Sequence, residues 1–165
     1  LARRGHTLIF GGGAAGLMGA AARGATRFSG EIIGISPKFF DVDGVLYDKC
    51  TEFIYTETMR ERKQLLDDMS EWFIVAPGGP GTFDELFETL ALRQLGLHNK
   101  PIAVFNINGY YKPLGEMLKN AFDGNFMTKE ILELAPLISY EIELLKYLED
   151  NIQGTGDFSV LKKLG

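Results

Sequence analysis

Two stretches of sequence decide the fold, LIFGGGAAGLMG at residues 8–19 and FIVAPGGPGTFDEL at residues 73–86. In each stretch a short apolar run leads into a cluster of glycines, and a helical pattern follows. Strands that are apolar throughout, rather than alternating, are typical of sheets covered by helices on both faces. Both stretches therefore predict strand–loop–helix units of a parallel sheet.

The same alternation continues along the chain. The predicted strands are residues 7–10, 31–35, 52–56, 72–76, 102–106 and 137–139. The predicted helices are residues 14–27, 59–71, 83–97, 110–123, 129–134 and 141–150. We predict an α/β fold with a Rossmann-like, doubly wound parallel sheet, forming a single domain over residues 1–150 with a tail over residues 151–165. The opening residues, LARRG, resemble the end of a helix, so we expect this numbering to lack the first strand and helix of the domain.

Composition and charge narrow the functional classes. The chain has 165 residues, of which 45% are hydrophobic, enough for one domain with a proper core. A net charge of −5, without a Lys/Arg run longer than two, disfavours nucleic-acid binding. No apolar stretch approaches the roughly 20 residues of a membrane span, and no signal peptide is visible. The single cysteine leaves no internal disulfide, and we expect a cytoplasmic protein.

Glycines that follow strands suit anion binding. They let backbone N–H groups face a ligand without a Cβ in the way, and the next helix adds about half a positive charge at its start. Such a site needs no basic residue. The alternative is that both clusters are tight strand-to-helix turns. Two such loops after different strands of one sheet favour ligand binding.

One acidic residue, Glu85, and one basic residue, Arg62, are candidate functional side chains. Thr82 and Glu85 have the spacing of a capping box, in which Thr82 caps a helix and Glu85 reaches back, so Glu85 has a structural interpretation beside any functional one. Arg62 shares a helical stripe with apolar residues. The other residues of this stripe are Met59, Leu66, Met69 and Phe73. The opposite, polar face of the helix consists of Arg60, Gln64, Asp67 and Glu71.

An arginine that points inward requires a partner, because an unpaired buried charge costs several kcal/mol. A carboxylate or a ligand phosphate suits the planar guanidinium of Arg62 equally well. Alternatively, the stem of Arg62 packs while its head reaches solvent. Lys63 lies at the edge of the stripe. Cys50 is interpreted as a packed or surface thiol and His98 as a turn residue, and no cluster of His, Cys and carboxylates predicts a metal.

These residues resemble the LOG ("Lonely Guy") family of cytokinin-activating phosphoribohydrolases, whose bacterial members were long labelled possible lysine decarboxylases. The family hallmark PGGxGTxxE matches residues 77–85, PGGPGTFDE, and an Arg-Lys pair in a Met-His-x-Arg-Lys stretch matches residues 59–63, MRERK. GGGAAGLMG and KPIAVFNINGYYKPL also fit the family. Pro80 departs from the tyrosine or glycine frequent there, and Arg60 replaces the usual histidine.

The resemblance implies hydrolysis of the N-glycosidic bond of an adenine-type nucleoside 5′-monophosphate to the free base and ribose 5-phosphate. It makes Arg62 and Glu85 the catalytic pair, with no cofactor and no metal. Glu85 is expected to stabilise an oxocarbenium-like sugar or to orient water, with Arg62 positioning it. The predicted substrate- and phosphate-binding residues are Gly12, Gly13, Met59, Lys63, Gly78, Gly79, Gly81 and Thr82.

The family also implies a homodimer or higher homo-oligomer, and an early glycine–serine loop that would precede Leu1. The main rival function is a non-catalytic nucleotide or molybdenum-cofactor carrier of the same superfamily, and a third is a structural or interaction protein. The decarboxylase label has little support in these residues, since pyridoxal phosphate chemistry needs a Schiff-base lysine with an acidic partner.

Overall fold

The computed structural model describes residues 1–152, so residues 153–165 of the predicted tail lie outside the described residues. The chain divides into two compact units, Leu1–Ser70 and Glu71–Gly165. Each unit contains a three-stranded sheet in which all paired strands are parallel.

The first unit has the strand order β1-β2-β3. Its strands are β1 (Leu8–Phe10), β2 (Ile32–Pro37) and β3 (Glu52–Thr56). Its helices are α1 (Gly16–Arg27) and α2 (Met59–Met69), with short 3-10 turns at Ala2–Arg4 and Lys38–Phe40. The core packs the small α1 residues Ala22 and Ala25 against Phe10, Ile32 and Tyr47, which brings α1 close to the sheet.

The second unit has the strand order β4-β5-β6. Its strands are β4 (Phe73–Val75), β5 (Ile102–Phe105) and β6 (Leu137–Ile138). Its helices are α3 (Pro80–Gln94), α4 (Lys112–Asp123), α5 (Lys129–Leu134) and α6 (Glu141–Asp150).

Alternate residues of β5 pack into different clusters. Ile102 and Val104 pack with Leu86 and Leu90 of α3, whereas Ala103 packs with the α6 residues, chiefly Leu148. Because successive strand residues face opposite sides, the sheet of this unit is covered on both faces. That arrangement explains why the strand is apolar throughout.

The predicted α/β class with parallel strands is confirmed, since every predicted strand and helix is present. Several boundaries differ. α2 ends at Met69, so the prediction that placed Phe73 on its apolar stripe is wrong, and Phe73 opens β4 instead. α3 starts at Pro80 rather than at residue 83. Proline is favoured at the first helical position because its φ is already helical and its missing N–H is not needed there.

α2 begins with a capping box that the sequence analysis did not identify. Thr58 Oγ1 accepts a hydrogen bond from Glu61 N at 3.1 Å, and Glu61 Oε2 accepts one from Thr58 N at 3.3 Å. Glu61 Oε2 also accepts from Glu57 N at 2.8 Å. These bonds satisfy backbone donors at the helix start and fix the first turn, from which Arg62 projects.

We predict that Thr58→Ala lowers the free energy of unfolding by about 1 kcal/mol, because the capping bond to Glu61 N is lost. Urea unfolding followed by circular dichroism measures this change. Arg60→Ala is the matched control: Arg60 is exposed on the same helix, and its removal should change stability by less than about 0.5 kcal/mol. Equal effects of the two substitutions would contradict a stabilising role for the cap.

Candidate functional site

The predicted site residues fall in both units. Gly12, Gly13, Met59, Arg62 and Lys63 belong to the first unit, and Gly78, Gly79, Gly81, Thr82 and Glu85 to the second. Each group is built by the loop that follows a strand and by the helix beside it.

The first glycine loop is tied to a neighbouring segment by backbone hydrogen bonds. Tyr47 N donates to Gly12 O at 2.8 Å, and Ala14 N donates to Val45 O at 2.9 Å. Gly12 has a φ of +78°, and a Cβ there would overlap the ring of Phe53. The turn interpretation therefore accounts for Gly12 without any ligand. Gly13, whose missing Cβ makes room for Met18, is explained in the same way.

Arg62 lies directly over Gly11, the residue that follows β1. A Cβ on Gly11 would overlap the guanidinium group, so the glycine makes room for it. Arg62 is half-buried, and its Nη1 lies 3.8 Å from Sδ of Met59, which is itself exposed. The helical period predicted this inward direction for Arg62 and an outward one for Arg60, and both are confirmed.

One flank of α2 is less exposed than the helical period predicted. Lys63 is half-buried, as its position at the edge of the stripe predicted. Asp67 was assigned to the exposed polar face, but it is half-buried too, and that assignment is wrong. The reason is that Asp67 lies four residues after Lys63 and hence on the same flank of the helix.

In the second unit, the loop after β4 contains glycines of two kinds. A Cβ on Gly78 would overlap the side chain of Thr82, so Gly78 is required by internal packing. Apart from the adjacent residues and the backbone of the same helix, no atom of the described residues lies within 4 Å of a Cβ built on Gly79 or Gly81. Gly79 also has an ordinary φ of −98°. Neither backbone strain nor a neighbouring atom therefore explains the glycine at position 79 or 81.

The capping box predicted at Thr82 and Glu85 is wrong. The N-cap of α3 is Gly79, which has no side chain with which to cap the helix, and Thr82 lies inside the helix. Thr82 instead packs over Gly78. Because Pro80 has no N–H, Gly81 and Thr82 carry the first-turn amides, which lack partners within the helix. The start of α3 thus presents backbone donors and the positive end of the helix dipole.

Glu85 is half-buried in the second turn of α3 and precedes the core residue Leu86. It lies three residues after Thr82, and side chains at that spacing are neighbours on one helix face. Its carboxylate therefore projects from the same side of the helix as Thr82, one turn beyond the glycine loop.

Two tyrosines that the sequence analysis did not single out hold the loop after β4. Tyr110 OH donates to Gly78 O and Tyr111 OH donates to Ala76 O, both at 2.7 Å. Tyr111 is 1% exposed, and burial, aided by the neighbouring Tyr110, raises the pKa of its hydroxyl. Tyr111 therefore stays a neutral donor. A strand followed by the turn-forming NING at residues 106–109 was the available signal.

Cys50 and His98 have structural roles. Cys50 packs against the core of the first unit, and burial raises the pKa of its thiol, which disfavours the nucleophilic thiolate. His98 Nδ1 accepts from Lys100 N at 3.2 Å, so Nε2 is the donor to Thr89 O at 3.0 Å. The interpretation of His98 as a turn residue is confirmed.

Two further features of the described residues bear on function. Across residues 1–152, no three His, Cys, Asp or Glu side chains are grouped so that they could hold a metal ion. None of the helices in that range combines the length and apolar character needed to cross a membrane.

We predict that alanine destabilises the protein at Gly78 but not at the adjacent Gly79. Gly78→Ala should lower the free energy of unfolding by about 1–3 kcal/mol, because its Cβ overlaps Thr82. Gly79→Ala should change it by less than about 0.5 kcal/mol, since its Cβ has open space and an allowed backbone. Urea unfolding of both variants measures the difference. Similar losses at both positions would contradict the distinction drawn between them.

Comparison with known proteins supports a family assignment. The family model described as "Possible lysine decarboxylase" matches residues 18–148. The cytokinin riboside 5′-monophosphate phosphoribohydrolase of Mycobacterium tuberculosis is 38% identical over 133 residues, covering 81% of this chain and 71% of that protein. The cytokinin riboside 5′-monophosphate phosphoribohydrolase LOG2 of Arabidopsis thaliana is 32% identical over 158 residues, covering 96% of this chain and 74% of that protein.

A solved structure shows the same fold. The molybdenum cofactor binding protein from Rippkaea orientalis matches with a TM-score of 0.64 and 20% identity, over 92% of this chain and 81% of that one. At this identity the likeness concerns the Rossmann-like fold alone. The family model and the two relatives match most of the chain and establish its family. The chain belongs to the LOG family, which the family model describes as possible lysine decarboxylases.

Proposed function

We propose that this protein hydrolyses the N-glycosidic bond of a cytokinin-type or other adenine-type nucleoside 5′-monophosphate, giving the free base and ribose 5-phosphate. Relatives that are 38% and 32% identical are named for this activity. The observation that carries the proposal is the start of α3. There Gly79 and Gly81 leave open space where a side chain would lie, beside first-turn amides that have no partner within the helix.

The 5′-phosphate binds at this helix start. The N–H groups of Gly79, Gly81 and Thr82 are the donors, and the helix dipole adds a favourable field for the anion. A Cβ on Gly79 or Gly81 would occupy the space through which the phosphate approaches the backbone. Binding the phosphate fixes the ribose for reaction, so energy from this remote group lowers the barrier at the anomeric carbon.

Glu85 acts at the ribose. When the bond between C1′ and the base nitrogen breaks, positive charge develops on the sugar, and a carboxylate stabilises it or orients the attacking water. The base leaves with the electron pair of the broken bond, water bonds to C1′ and loses a proton, and the base takes up a proton, so that the two products together contain the elements of one water. The half-buried location of Glu85, one turn from Thr82, supports this role.

Arg62 is the second catalytic residue. Its guanidinium is permanently charged, and it assists the departing base, which takes up negative charge. The close approach of Arg62 to Gly11, at the carboxyl end of β1, supports a role in ligand binding, because ligands of open α/β sheets bind beyond the carboxyl ends of strands. Met59, whose sulfur contacts Arg62, and Lys63 complete the substrate-binding residues on α2.

Gly12 and Gly13 keep a place among the substrate-binding residues by position, although turn geometry already explains them. The protein is proposed to act in the cytoplasm, as its single cysteine suggests. It is proposed to be a homodimer or larger homo-oligomer, as the family resemblance implies.

We expect Glu85→Gln to reduce kcat for AMP at least a hundredfold while the protein still binds AMP, on the scale of a lost electrostatic stabiliser. The assay is chromatography of free adenine. Glu88→Gln, an exposed position on the same helix, is the matched control and should stay within twofold of wild type. Near-normal turnover of Glu85→Gln would remove Glu85 from the mechanism. Wild-type protein that binds AMP without releasing adenine would favour a carrier.

We expect Gly11→Ala to reduce kcat/KM for AMP at least tenfold while leaving the fold intact. The new Cβ overlaps only the head of a flexible side chain, so Arg62 moves and the backbone does not. The matched control is Gly24→Ala, at an exposed position of α1 where a Cβ meets no described atom within 4 Å; activity should be unchanged. Full activity in both Gly11→Ala and Arg62→Ala would exclude a catalytic role for Arg62.

A further inference from the structure

We propose that Tyr110 is a positioning residue for the loop that binds the phosphate. Its hydroxyl holds the peptide between Gly78 and Gly79 in the orientation that presents Gly79 N–H to the phosphate. The inference rests on the proposed function for the identity of the anion, and it adds a residue from a different loop to that site.

The geometry of the peptide group carries the first step. Tyr110 OH donates to Gly78 O at 2.7 Å. The peptides of the described residues are all trans, so the C=O and the N–H of one peptide group point to opposite sides. A carbonyl of Gly78 directed at Tyr110 therefore directs the N–H of Gly79 away from Tyr110. One hydrogen bond on one side of the loop sets the direction of a donor on the other.

Such a constraint matters because both residues of this peptide are glycines. Glycine populates backbone conformations that other residues avoid, so a Gly-Gly peptide reorients at low cost. Gly79 is exposed, and no described atom lies close enough to its missing side chain to hold it. A reversed peptide would direct the Gly78 carbonyl oxygen, instead of an N–H, at the anion. The Tyr110 bond selects against that orientation.

Tyr110 is 49% exposed, and its other contacts fix the position of its ring. Its ring packs edge-on against that of Tyr111, with 4.9 Å between the ring centroids and an angle of 85° between the ring planes. Tyr111 is buried, and its N–H donates to Asn106 Oδ1 at 2.8 Å. Asn108 and Gly109 both have positive φ, of 52° and 76°, which turns the chain sharply between β5 and the tyrosines. The hydroxyl is therefore placed in advance of ligand binding, as a positioning group requires.

The neighbouring tyrosine provides a matched comparison. Tyr111 OH makes a bond of the same length to Ala76 O, in the same loop. The peptide that follows Ala76 ends at Pro77, whose nitrogen carries no hydrogen. The Tyr111 bond thus supports the backbone but aims no donor. Loss of the Tyr110 hydroxyl should weaken phosphate binding, whereas loss of the Tyr111 hydroxyl should lower stability.

The test compares Tyr110→Phe with Tyr111→Phe in the full chain. Calorimetric titration with ribose 5-phosphate should give about a tenfold weaker Kd for Tyr110→Phe, equivalent to one lost hydrogen bond to a charged group, and a change below twofold for Tyr111→Phe. With AMP, Tyr110→Phe should raise KM about tenfold and change kcat less than threefold. In NMR spectra, the Gly79 amide proton should shift downfield on addition of ribose 5-phosphate in wild type, and much less in Tyr110→Phe.

Equal losses of affinity in both variants, or none in either, would overturn the inference, as would a wild-type protein that does not bind ribose 5-phosphate. Melting temperatures of both variants show whether either change reflects unfolding. A wild-type protein that binds ribose 5-phosphate but releases no adenine from AMP would refute the proposed hydrolysis. The comparison of the two tyrosines would still decide the role of Tyr110.

Discussion

The first turn of α3 is the constraint on which the rest of the proposed site depends. Gly79, the N-cap residue, has no side chain to cap the helix, and Pro80 has no N–H, so the amides of Gly81 and Thr82 are the donors proposed for the anion. Thr82 packs on Gly78, and Tyr110 and Tyr111 bind the carbonyls of residues 78 and 76. In a chain with a net charge of −5, the proposed phosphate site thus depends mainly on backbone donors at a helix end, in a loop held by two tyrosine hydroxyls.

The glycines of the two loops divide by what each missing side chain makes room for. Gly11 accommodates Arg62, Gly12 accommodates Phe53 and adopts a positive φ, and Gly78 accommodates Thr82. Gly79 and Gly81 accommodate nothing in the described part of the chain. A glycine that serves packing and one that admits a ligand look identical in sequence. Only the surroundings of the missing Cβ distinguish the two kinds of glycine. These surroundings favour ligand binding at the second loop over the first.

Sequence patterns predicted features that depend on local periodicity. The strand–helix alternation follows from short apolar runs, and the inward direction of Arg62 follows from the 3.6-residue period of α2. The pattern Thr-x-x-Glu occurs at residues 58–61 and 82–85, but only the first caps a helix, because Pro80 starts α3 earlier. The turn residues NING mark the loop before Tyr110 and Tyr111, but no local pattern predicts the hydrogen-bond partners of these tyrosines, which lie 32 and 35 positions away.

The backbone bonds from residues 45 and 47 to the first glycine loop have a consequence for how this family can vary. They anchor the end of the connection between β2 and β3 at Val45 and Tyr47, while residues 39–45 between Lys38 and that anchor are exposed. Lengthening an exposed connection costs little free energy when its ends stay fixed. Insertions before Val45 can therefore be accommodated without disturbing the turn that holds Gly12.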